Sequence, residues 1–101
     1  MKKELREKVM FALRQVPDPE LHVNIVDLGL VYGFDLDKNG LLTITMTLTT
    51  PGCPLTPVFE AMIRNRLRVI REIRDIKINL TFDPPWDASR MTPATRAAIG
   101  F

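Results

Sequence analysis

The sequence predicts a two-layer α+β domain of order α-β-β-α-β, with a short C-terminal helix and a three-stranded mixed sheet. Three observations carry that expectation. Leu5, Val9, Leu13 and Val16 recur at helical spacing. Leu42, Ile44, Met46 and Leu48 alternate strictly with Thr43, Thr45, Thr47 and Thr49. Between that run and an earlier apolar one lies Asp37-Lys38-Asn39-Gly40, a hairpin turn in which Asn-Gly accepts positive φ cheaply. At 101 residues, one domain spanning 1–101 is expected.

Each element has its own warrant. The first helix covers residues 3–15, with Ala12 beside the apolar stripe and charges opposite; Pro17 and Pro19 stop it. Residues 18–29 have no clean period and read as an ordered loop with one helical turn. Residues 31–36 make the first strand and 41–49 the second. Pro54 suits the first turn of a helix, because its missing N–H has no partner there anyway. Leu55, Val58, Phe59, Met62, Ile63, Leu67 and Ile70 mark that second helix, which ends between 70 and 74. Ile76, Ile78, Leu80 and Phe82 alternate as a third strand, closed by Asp83-Pro84-Pro85-Trp86. Thr92-Pro93 to Gly100 is a capped short helix. Strands joined through a helix run parallel, so the second and third strands are parallel and the first antiparallel to the second. Both long helices then cover one face, over a core that includes Leu13, Ile44, Phe59, Ile63 and Leu80.

Composition narrows the function classes. The chain is 46% hydrophobic and 26% charged, with 14 Lys and Arg against 12 acids, a net charge of +2. That is globular and excludes a disordered charged tail. One cysteine excludes an intrachain disulfide and a zinc finger. Apolar runs are too short for a membrane helix, and the charged N-terminus lacks the apolar stretch of a signal peptide. A soluble cytoplasmic domain with no membrane partner is the expectation.

Cys53 is the centre of chemical interest. A thiol at a helix start, after a strand, meets free backbone N–H groups and the positive end of the helix dipole, which lower its pKa. Against this stands a small buried hydrophobe, which free cysteines often are. Asp27 interrupts the run Ile25-Val26-Asp27-Leu28, where an unpaired buried carboxylate is costly. It either caps its own turn or sits beside Cys53 as metal ligand or proton acceptor. Because the first two strands pair antiparallel, the start of one lies beside the end of the other, which brings Asp27 toward Cys53. Thr49 and Thr50 bring hydroxyls to the end of the second strand; Glu20 reads first as a solvated loop acid. His22 is the one histidine, and no spacing ties it to the cysteine, so a Cys-His pair is unsupported.

Residues 64–77 hold six cations against Glu72 and Asp75, a net charge of +4. Arg64, Arg68 and Arg71 share a solvated face. Arg66 falls inside the apolar stripe and is expected to pair with an acid or lie at a subunit contact. No Phe, Tyr or Trp stands between Phe59 and Phe82, so a single-strand nucleic-acid surface is the weaker reading. Trp86 covers the core edge or serves as a docking patch.

Several blocks together resemble a known family. They are Asp18-Pro19-Glu20, the run Asn24 through Tyr32 (NIVDLGLVY), the run Thr47 through Pro54 (TLTTPGCP), Pro84-Pro85-Trp86 and Met91. In order and spacing they look like the SufT/PaaD-like iron–sulfur cluster assembly domains, from Asp18 to Gly100. The resemblance implies an iron–sulfur assembly-type α+β fold and a role in cluster maturation or transfer. It implies a functional Cys53, with Glu20, Asp27, Thr49 and Thr50 grouped around it and Leu28 as a wall. An Arg-rich second helix and the lack of a Gly before the third strand depart from the family's usual look. The family includes general maturation auxiliaries, accessory proteins of a phenylacetate oxygenase system, and domains fused to cluster-carrying ATPases. The lack of a cysteine-rich tail favours the general auxiliary.

Ligand arithmetic limits the mechanism. Clusters need about four protein ligands, mostly thiolates, and one chain offers one. No cluster is expected to be held firmly by a monomer. The expected role is a non-enzymatic auxiliary whose Cys53, with Asp27, handles iron or a cluster transiently. It acts in a homodimer or with the iron–sulfur assembly machinery and apo client proteins. The rivals are a cysteine-dependent enzyme, a small nucleic-acid-binding module and a structural adaptor.

Overall fold

A computed structural model of the chain describes residues 1–18, 21–49 and 56–100. The element order is α1 (Lys3–Leu13), β1 (Val31–Leu36), β2 (Leu41–Met46), α2 (Thr56–Leu67), β3 (Asp75–Leu80), a 3₁₀ turn (Ala88–Arg90) and α3 (Pro93–Ile99). The sheet order is β1-β2-β3, with β1 antiparallel and β3 parallel to β2. The expected α+β architecture is the one observed, down to the strand directions.

The helix stripes and one sheet face share a core. Val9, Leu13, Leu42, Ile44, Ile63 and Leu67 are all fully buried. Leu80 is the correction: it is 37% exposed. Burial fades along β3, from Ile76 at 8% through a half-buried Ile78 to Leu80. Alternation names the inward face of an edge strand but not how far the helices reach along it. α1 ends two residues before the expected Gln15. Gln15 and Val16 close i→i−3 bonds to Ala12 and Leu13 ahead of Pro17, which cannot continue the helix. α2 ends at Leu67, before the expected 70–74.

The hairpin turn is tied by Asp37, whose Oδ1 accepts from the N–H of Asn39 at 2.8 Å and of Leu41 at 3.0 Å. Gly40 alone in that turn takes positive φ, +88°. Its carbonyl accepts from Arg74 N at 2.8 Å, fastening the hairpin to the entry of β3.

β1 is not regular. Val31 pairs with Met46 and Gly33 with Thr45, so Tyr32 is an extra residue, a bulge. The bulge restores Val31 to the core-facing register and turns Tyr32 to the other sheet face. There the Tyr32 hydroxyl donates to the Pro84 carbonyl at 2.8 Å, and the Arg90 guanidinium lies 4.6 Å from the ring centroid. The segment 84–92 therefore covers the outer face where β1 begins. Asp87 caps the 3₁₀ turn inside it. Hydrogen bonds from the Ser89 hydroxyl and N–H hold the Asp87 carboxyl below its usual range. Among the described residues, no helix is long and apolar enough to cross a membrane.

Candidate functional site

The site is built around residues 24–30, which form one fully capped α-turn. Asn24 is its N-cap. Asn24 Oδ1 accepts from Asp27 N, and Asn24 Nδ2 donates to Asp27 Oδ2, both at 2.9 Å. This is the reciprocal logic of a capping box, with Asn and Asp in the two roles. At the other end Gly29 takes φ +76°. Its N–H bonds Val26 O and the next N–H, of Leu30, reaches back to Ile25 O, both at 3.0 Å. Those two bonds define a Schellman cap, and its usual apolar contact is supplied by Ile25 and Leu30, both fully buried.

That turn answers half of the question Asp27 poses in the sequence. The carboxylate is half-buried rather than sealed in the core, and one oxygen is held by Asn24. The apolar neighbours Ile25 and Leu28 point inward while Asp27 lies on the turn's more open side. Its backbone carbonyl accepts from Thr92 N at 3.0 Å.

Segment 84–92 holds the turn from outside. Trp86 is half-buried, and its indole N–H donates to Leu28 O at 2.7 Å. Of the two readings of Trp86, cover for the core edge is the one found. A side chain at Gly29 would run into the Arg90 carbonyl oxygen, so the two backbones meet at a point only glycine permits.

The strand pairing carries the end of β2 to this turn. Beyond Met46, Thr47 N donates to Leu30 O at 2.8 Å, three residues after Asp27. Thr47 is fully buried although it shares a face with half-buried Thr43 and Thr45. Its hydroxyl has no hydrogen-bond partner among the described residues. Thr49 follows, half-buried. Cys53, Thr50 and Glu20 lie outside the described residues. Among the described residues, no three of His, Cys, Asp and Glu gather as a metal site.

His22 is exposed, with φ +58°, at the tip of a small loop closed by the Pro17–Asn24 bridge. Arg66 does not meet the acid expected for it: it is exposed, with no ion pair among the described residues. The residues that sequence reasoning missed are Asn24, Tyr32 and Arg90. The Asn-x-x-Asp spacing signalled the first; no local pattern signals the other two.

Residues 6–80 match the iron–sulfur cluster assembly protein family. The chain belongs to that family. It is 44% identical over 100 residues to the Fe-S protein maturation auxiliary factor YitW of Bacillus subtilis, covering 99% of this chain and 98% of that protein. It is 41% identical over 85 residues to the Fe-S protein maturation auxiliary factor SufT of Staphylococcus aureus, covering 84% and 97%. A crystal structure of a domain of unknown function, DUF59, from Bacillus anthracis superposes with a TM-score of 0.90 at 36% identity, over 99% of this chain and 95% of that one. In this family member the match ends at Leu80, so the clamp formed by residues 84–92 lies beyond the matched segment.

Proposed function

We propose that this chain is an auxiliary factor in iron–sulfur protein maturation, taking iron, sulfide or a cluster as transient cargo and passing it to apo client proteins. The observation that carries the reading is the 44% identity, end to end, with a maturation auxiliary factor. The role is non-enzymatic. Cys53 is the proposed cargo ligand and Asp27 its hard co-ligand, with Thr49, Thr50 and Glu20 lining the approach. The Asn24 bond fixes one Asp27 oxygen and leaves lone pairs for a cation. One thiol per chain suits brief custody rather than storage. Asp27 opposes ionisation of a nearby thiol, and an arriving cation neutralises both groups.

The test is anaerobic reconstitution with ferrous iron and sulfide, comparing wild type with Cys53→Ser. Absorbance and metal content are read before and after adding an apo acceptor protein. Wild type is expected to take up and release metal, and Cys53→Ser to do neither while remaining folded. Equal loading and transfer by both proteins overturns the proposal.

A further inference from the structure

The outward side of α1 carries apolar surface that the chain leaves uncovered. Phe11 is 66% exposed, and Val69 beside it in the groove between α1 and α2 is 78% exposed. Glu4, Glu7, Phe11 and Arg14 are spaced three, four and three, so they form one stripe along α1 and its C-cap residue. All four are exposed. The charge of the stripe changes sign along it: two acids lie on one side of Phe11 and Arg14 on the other. Lys8 holds Glu72 at 4.0 Å, and Arg66 and Arg68 line the same groove. Glu4, Glu7, Arg14 and Arg66 have no ion pair among the described residues.

We propose that this face is a homodimer interface, in which a second copy lays its α1 antiparallel across this one about a two-fold axis at Phe11. The charge order selects that geometry. Glu7 and Arg14 lie four and three residues from Phe11, roughly 6 and 4.5 Å along the helix. A two-fold axis perpendicular to α1 reverses the second helix, so Glu7 meets Arg14 of the second copy, and Arg14 meets its Glu7. Phe11 stacks on its own counterpart. A parallel arrangement sets acid on acid and cation on cation. The surface is self-complementary in one orientation, which is what an isologous contact requires. It also gives the stripe-interrupting Arg66 its subunit contact. The proposal rests on this face alone and is independent of the role of Cys53.

Sedimentation of the full chain in reducing buffer tests it, with no disulfide able to contribute. Wild type is expected to dimerise with concentration. Glu7→Arg and Arg14→Glu each place like charges at both contacts and weaken the dimer at least ~10-fold. An equimolar mixture of the two variants pairs opposite charges at both contacts and recovers the dimer mass. Phe11→Ala weakens the dimer, and at dilutions where both proteins are monomeric its unfolding midpoint matches wild type, because the side chain is exposed in the monomer. A wild type that stays monomeric to roughly 1 mM, single variants that dimerise like wild type, or a mixture that stays monomeric each overturns the proposal.

Discussion

Trp86 and Leu28, 58 positions apart, are joined by a hydrogen bond of 2.7 Å from the indole N–H to the backbone carbonyl. Trp86→Phe keeps a large ring and removes the donor. It is expected to cost about 1–2 kcal/mol in urea unfolding. Unchanged stability means that ring packing alone holds the segment.

Gly29→Ala is expected to destabilise by about 2 kcal/mol or more, through positive φ and the collision with the Arg90 backbone. Gly33→Ala is the control. Nothing lies within 4 Å of the added methyl and φ is ordinary, so its effect stays within about 0.5 kcal/mol. Thermal unfolding of the pair separates close approach from a general intolerance of side chains.

Asn24 and Asp27 are separable by substitution. Asn24→Ala removes the N-cap and both mutual bonds, and is expected to cost about 1 kcal/mol. Asp27→Asn keeps an oxygen to accept from Asn24 and loses the charge, so folding changes by less than about 0.5 kcal/mol. Metal uptake in the reconstitution assay falls for Asp27→Asn and holds for Asn24→Ala. The reverse pattern removes Asp27 from the proposed cargo site.

Thr47→Val replaces a buried hydroxyl that has no partner among the described residues with a methyl of the same shape. It is expected to leave stability unchanged or raise it by about 1 kcal/mol. A loss of maturation activity in cells at undiminished stability assigns that hydroxyl a role in the site.

The layers, strand directions and most of the core were legible because they follow from period. Four apolar periodicities and one Asn-Gly turn dictate two helices on one face of a mixed sheet. Leu80 was misplaced because alternation gives a face without giving the depth of its cover. The bulge at Tyr32 was invisible because a one-residue insertion leaves composition unchanged and alters only the pairing. Asp27 was recognisable as an anomaly, and its partner Asn24 stood three residues away in capping-box spacing. The bonds from residues 84–92 had no local signature, since each joins segments more than fifty positions apart.

The clamp also sets an order of events during synthesis. Residues 24–30 leave the ribosome long before Trp86, Arg90 and Thr92 exist. Until those arrive, Leu28 O and Asp27 O lack the donors they hold in the finished fold, and Tyr32 lacks its cover. The nascent α-turn has its own caps by then and lacks only these outer bonds. The bonds from Trp86, Tyr32 and Thr92 are therefore added to a turn and a sheet whose local hydrogen bonds precede them.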